Sequence, residues 1–145
     1  MTMDESYSYT DGFIERRQGG HYEGSIKVHG VDLSPIEATF FQDDGETYLW
    51  IRRKPIMEYD FESQSYSTRK RTPHFEAYLK KQVEDNTVAF KGEFMFMRFK
   101  FSVVGVWDSV LGRENQRLNL FVERLPMTQQ TILNDINQRK KKDEE

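Results

Sequence analysis

Residues 92–107 read GEFMFMRFKFSVVGVW and form the most apolar stretch of the chain. Arg98 and Lys100 interrupt it, so it cannot supply the roughly 20 apolar residues that a membrane-spanning helix needs. Period-two alternation instead gives an apolar face consisting of Met95, Met97, Phe99, Phe101 and Val103. The cations and Ser102 fall on the other face. The segment therefore predicts one long β-strand buried on one side, with Gly105 marking a bend or bulge near its end.

Turn residues predict hairpins on both sides of this segment. Asp43-Asp44-Gly45 separates two apolar runs, and Gly19-Gly20 divides residues 12–30 in the same way. A third hairpin joins residues 99–107 to residues 116–124. The even spacing of strands and turns predicts an all-β, mainly antiparallel domain, either a small barrel or a sandwich built from consecutive hairpins.

Residues 74–83 have more than one interpretation, whereas residues 61–73 have one. Residues 74–83 have apolar positions at helical spacing, but PHFEAYL at 73–79 resembles PIEATF at 35–40, and this similarity favours a strand. FESQSYSTRKRTP, residues 61–73, is predicted to be a polar connection and the longest loop of the domain.

The chain divides into three parts. Residues 1–10 are predicted to be a flexible N-terminal segment without the features of a signal peptide, and residues 11–126 a single antiparallel β-domain. Residues 127–145 are predicted to be a short C-terminal α-helix and a frayed charged tail, with Thr128 as the N-cap and Ile136 on a narrow apolar stripe. The chain contains no cysteine, which suits a cytoplasmic location.

Few patterns in the sequence point to catalysis or to a cofactor. Without cysteine there are no thiolate metal sites, and His21, His29 and His74 lack the spacing of metal ligands. No phosphate-binding loop or nucleophile motif occurs. Glu37 and Glu76 could act as a carboxylate pair across a barrel, but exposed strands commonly carry such pairs. We expect a protein that is not an enzyme and that holds no metal or cofactor.

The charges are unevenly distributed along the chain. Residues 1–50 carry three cations and ten acids, whereas residues 51–81 carry eight cations and four acids. The basic segment supplies the predicted partner-binding residues: Arg52, Arg53, Lys54, Tyr66, Arg69, Lys70, Arg71, Lys80 and Lys81. Trp50 and Tyr59 are predicted stacking platforms, since aromatic residues among cations are typical of surfaces that bind single-stranded nucleic acid.

These patterns predict a small, non-catalytic binding or assembly module that contacts an acidic partner through a basic loop and the adjacent strand ends. The pI of about 5.7 favours a protein partner or self-association over single-stranded nucleic acid, and no membrane is implied. The alternative is an up-and-down β-barrel that carries a small hydrophobic ligand. Met95 and Met97 would help to line its cavity.

Overall fold

The computed structural model describes residues 10–69, 71–109, 115–126 and residue 136. Eleven strands occur in this part of the chain: β1 Gly12–Arg16, β2 Tyr22–Val28, β3 Val31–Asp32, β4 Ile36–Asp43, β5 Glu46–Arg53, β6 Ile56–Asp60, β7 Ser65–Arg69, β8 Glu76–Glu84, β9 Thr87–Phe96, β10 Phe99–Trp107 and β11 Arg117–Arg124. Every pair between them is antiparallel.

Eight of the strands close into an up-and-down barrel. Its order is β1-β2-β4-β5-β8-β9-β10-β11. The short β3 pairs with the end of β2, and β4 pairs with the start of β2. Closure is made by β1, which places Gly12 opposite Leu120 of β11 on one side and Ile14 opposite Gly24 of β2 on the other. The structure thus confirms the all-β antiparallel class and decides for a barrel against a sandwich.

The closing strands approach one another closely at Gly24. A Cβ atom at this position would overlap the backbone carbonyl oxygen of Phe13 in β1. Only glycine lets the two backbones come this near, and such contacts are one way in which a sheet curves sharply enough to close.

The barrel is filled by apolar side chains from alternate positions of its strands. The most completely buried are Ile14, Ile26, Val28, Leu33, Ile36, Leu49, Ile51, Phe75, Leu79, Val103, Leu118 and Leu120. No polar or charged residue is buried among the residues that the structure describes. An interior of eight strands is just wide enough for such side chains to fill it.

Aromatic rings fill the end of the barrel that holds the β1–β2 and β4–β5 turns. The rings of Tyr22, Phe40, Phe90 and Trp107 contact one another with centroids 5.1 to 6.1 Å apart. The Tyr22 hydroxyl donates a hydrogen bond of 2.7 Å to the carbonyl oxygen of Asn115, and burial raises the pKa of this phenol. The rings therefore close this end with a packed aromatic layer.

The prediction of one long strand over residues 92–107 is wrong. Met97 and Arg98 have φ values of 49° and 72° and form a two-residue turn, so the segment is the hairpin of β9 and β10. Phe96 faces Phe99 across this turn, which reverses the alternation. As a result Met95 and Met97 are 60% and 56% exposed, while Phe94 and Phe96 are buried together with Phe101 and Val103, as is typical of a strand facing the core.

The segment predicted as the longest loop also differs from expectation. Residues 56–69 form a two-stranded ribbon, β6 and β7, inserted between the barrel strands β5 and β8. Its strands pair with each other only, and all of their residues are exposed. We call this hairpin the ribbon.

The remaining fold predictions have mixed outcomes. The hairpins around Gly19-Gly20 and Asp43-Asp44-Gly45 and the pairing of β10 with β11 are confirmed, and residues 76–84 are a strand. Gly105 makes no bend or bulge, because β10 and β11 keep an unbroken register through it. A Cβ atom at this position would instead be 2.6 Å from a methyl carbon of Leu118. The predicted N-terminal segment and C-terminal helix lie outside the described residues, apart from Thr10, the last residue of that segment, and Ile136.

Alanine substitutions on the two sides of the β9–β10 turn test this register. Phe96→Ala should lower the free energy of unfolding by about 3–5 kcal/mol, because it removes a large side chain from the core. Met97→Ala should change it by less than about 0.5 kcal/mol, as expected for an exposed position. Urea unfolding of both variants gives the comparison. A larger loss for Met97→Ala than for Phe96→Ala would show that these residues belong to a single strand.

Candidate functional site

The predicted contact residues lie in three different places. On the barrel are Trp50, Arg52 and Lys80, which face outward, and Lys81, which is exposed on the other face of β8 opposite Phe90. Where the ribbon joins the barrel are Arg53, Lys54 and Arg71, and on the ribbon itself are Tyr59, Tyr66 and Arg69. Lys70 is outside the described residues. The cations therefore do not form one continuous basic surface.

Acidic side chains from other strands compensate four of these cations. Arg52 pairs with Glu37 of β4, and Lys80 lies 3.9 Å from Glu46 of β5. Lys54 Nζ donates to Glu23 Oε1 of β2 at 2.6 Å. A fourth pair, at 3.0 Å, joins Arg69 to Glu58 across the ribbon. Cations that are already paired attract a further acidic group weakly, so the basic segment is less available to an acidic partner than its composition suggests.

The outer wall of β4, β5 and β8 carries four aromatic rings, which we call the wall aromatics: Phe41, Tyr48, Trp50 and Tyr78. Trp50 and Tyr78 face each other across β5 and β8, with ring planes 11° apart. The guanidinium of Arg52 lies over the Trp50 ring, 4.7 Å from its centroid. Trp50 is half-buried, and this cation occupies a face on which a base would stack.

The ribbon has one uncharged face and one charged face. Alternation along β6 and β7 places the following residues together, which we call the aromatic face of the ribbon: Met57, Tyr59, Tyr66 and Thr68, with Phe61 in the turn. The opposite face carries Glu58, Asp60 and Arg69 among small polar residues and Ile56. A ribbon in water has no need to separate its residues in this way, so the aromatic face is a candidate contact surface.

The aromatic face is internally ordered but open to solvent. The Tyr59 ring lies 5.0 Å from the Tyr66 ring and 4.9 Å from the Phe61 ring. The Thr68 hydroxyl donates to the Met57 sulfur at 3.3 Å. Exposure is 84% at Phe61, 69% at Tyr66 and 58% at Met57. The sequence interpretation found Tyr59 and Tyr66 but missed Phe61 and Met57, whose period-two spacing with the tyrosines was the available signal.

Neither acid–base nor metal chemistry is favoured by the positions of the candidate groups. Glu37 and Glu76 are both cross-strand neighbours of Arg52, so the whole width of β5 separates the two carboxylates. In the part of the chain that the structure describes, no three His, Asp or Glu side chains come together as metal ligands. The same residues include no helix that is long and apolar enough to cross a membrane.

No family model matches this chain, and no curated protein or solved structure is significantly similar to it.

The ion pair between Lys54 and Glu23 should make stability depend on pH. The hydrogen bond from Lys54 holds the pKa of Glu23 below its ordinary value of 4.5. A carboxylate with a depressed folded-state pKa contributes stability above its unfolded pKa and loses it as the pH falls through the folded value.

Replacing the cation should therefore remove part of the acid sensitivity. In urea unfolding from neutral pH to below the folded-state pKa of Glu23, Lys54→Gln should show a shallower decline in stability than the parent. Lys81→Gln, at an exposed position of β8, is the charge-matched control and should keep the parent slope. Equal slopes for the parent and Lys54→Gln would show that the pair does not contribute.

Proposed function

We propose that this protein is a small, non-catalytic binding module that contacts a protein partner through the aromatic face of the ribbon. The single observation that carries the proposal is the exposure of Tyr59, Phe61 and Tyr66 together on one side of an element whose two strands pair only with each other. Tyrosine, phenylalanine and methionine are enriched in protein–protein interfaces, and tyrosine is enriched among the residues that dominate binding energy.

The ribbon is also suited to binding by its place in the fold. It projects from the barrel between β5 and β8, so a partner can reach it without disturbing any pair of barrel strands. The contacts between Tyr59 and its two neighbouring rings hold the aromatic face in one arrangement before binding. Side chains that are ordered in advance lose less conformational entropy when they bind.

Charge contributes less to this proposal than the sequence alone suggested. An acidic partner remains compatible with it, but four of the predicted cations already have carboxylate partners. We expect the main contact to be aromatic and apolar, with a weak dependence on salt. If the partner is a second copy of this chain, the same face mediates self-association. The cytoplasmic location stays a prediction.

The alternatives have less support in the described residues. The carrier hypothesis placed Met95 and Met97 in a cavity, but both side chains are on the outside of the barrel. On the outer wall, single-stranded nucleic acid would need open aromatic platforms beside unpaired cations, whereas Arg52 covers Trp50 and is itself paired with Glu37.

Substitution of the ribbon aromatics should abolish partner capture without changing stability. The variant combines Tyr59→Ser, Phe61→Ser and Tyr66→Ser, and the control combines Phe41→Ser and Tyr78→Ser on the outer wall. Affinity capture from the native cells should retain a specific protein with the parent and the control and lose it with the ribbon variant. With the purified partner, Tyr59→Ala alone should weaken binding by about 2 kcal/mol, or roughly 30-fold in Kd.

Other outcomes would contradict this proposal. If the ribbon variant keeps the partner and a variant lacking Arg52 and Lys80 loses it, the contact is made by the charged wall. If the captured material is nucleic acid, and binding weakens steeply with salt, the hypothesis of nucleic-acid binding replaces the proposed protein contact. Sedimentation of the parent and the ribbon variant distinguishes self-association from binding to another protein.

A further inference from the structure

Two arginines lie on adjacent segments where the ribbon joins the barrel. Arg53 is the last residue of β5, and Arg71 follows β7 two residues after its end. Arg53 Nη1 donates to the carbonyl oxygen of Pro73 at 3.2 Å, and Arg71 Nη1 donates to that of Ser34 at 3.1 Å. The side chains are thus held on adjacent segments by the backbone, independently of the aromatic face of the ribbon.

These two cations differ from their neighbours because no carboxylate pairs with them. Among the described residues, Arg52, Lys54 and Arg69 each form an ion pair, but neither Arg53 nor Arg71 does. Both are half-buried, so solvent screens their mutual repulsion less than it would at an open surface. Burial and, second, the charge of Arg71 lower the pKa of Arg53 from its ordinary value.

Among the described residues, Asp32 is the acid whose charge acts on Arg53, and it also interacts with other groups. Asp32 acts on the charge of Arg53, but its carboxylate also accepts a hydrogen bond of 3.0 Å from the Ser34 amide and lies opposite Lys27 in the sheet. Asp32 therefore balances only part of the positive charge of Lys27, Arg53 and Arg71. The local surplus is positive although the whole chain carries a net charge of −3.

The two guanidinium groups also carry N–H donors that are not bonded to these carbonyl oxygens. Each guanidinium carries five N–H donors, and one nitrogen on each is bonded to a backbone carbonyl. Arg53 Nε is shielded from solvent and has no acceptor. Both arginine side chains are only half-buried, so a small anion can reach the nitrogens that remain exposed.

We infer that Arg53 and Arg71 form a binding site for an oxyanion, a carboxylate or a phosphate group held by the two guanidiniums. Planar guanidinium groups bind these groups through charge-assisted hydrogen bonds. If the arginines served only to connect loops, neutral donors would make the same bonds to carbonyl oxygens without placing two like charges side by side. A bound oxyanion supplies the missing negative charge and accepts hydrogen bonds from N–H groups that remain accessible on the two guanidiniums.

Titration of the arginine Nε–Hε signals by NMR tests this site directly. Inorganic phosphate and acetate are added separately to the full chain, with sodium chloride keeping the ionic strength constant. The signals of Arg53 and Arg71 should shift to saturation with at least one anion, while those of Arg52 and Arg69 should not. Saturation with phosphate alone assigns a phosphate group, and saturation with acetate assigns a carboxylate.

Two variants separate specific binding from general salt effects. Arg71→Gln should weaken the anion affinity measured at Arg53 by about tenfold or more, since it removes a charged donor group. Arg69→Gln removes the same charge nearby but from an existing ion pair, and it should leave the affinity unchanged. Shifts at Arg53 that grow linearly in the parent, or that saturate equally in Arg71→Gln, would overturn the proposal. The parent titration decides it even if Arg71→Gln does not fold.

Discussion

The pairing of β1 with both β2 and β11 is the contact on which the barrel depends. The five residues of β1 lie between strands on both sides, and without β1 the strands β2 and β11 would present open edges. An open sheet exposes unpaired N–H and C=O groups along each edge, which favours aggregation. Closure also allows the inner faces of all eight strands to share one apolar core. The aromatic layer and the position of the ribbon both follow from that closed frame.

Local chemistry made much of this fold predictable. Asp44-Gly45 has the residue types that two-residue turns favour, so the β4–β5 hairpin could be read directly. Met97-Arg98 adopts the same left-handed backbone without Asn, Asp or Gly, and nothing in its composition indicates a turn. An unrecognised turn of this length reverses the inside and outside of the preceding strand. For this reason an uninterrupted period-two alternation places Met95 in the core and leaves Phe96 out of it.

The candidate contact surface was less predictable because it depends on register between distant strands. The cations of residues 51–81 are evident from composition, but the acids that pair with Lys54 and Arg52 come from β2 and β4. Which cations remain without an acid is decided only when the strands are aligned. Similarly, Tyr59 and Phe61 are recognisable as aromatic residues in a polar segment. Their arrangement on one face requires knowing that this segment forms a ribbon.

The ribbon is, in topological terms, an insertion into a barrel hairpin. β5 and β8 pair directly with each other, from Tyr48 opposite Lys80 to Arg52 opposite Glu76, although residues 54–75 separate them in sequence. The entropic cost of a longer connection rises only with the logarithm of its length, by about 0.6 kcal/mol for each doubling. Changes in length or sequence within the ribbon are therefore nearly neutral for the barrel. Natural selection can remodel the ribbon and the barrel at different rates.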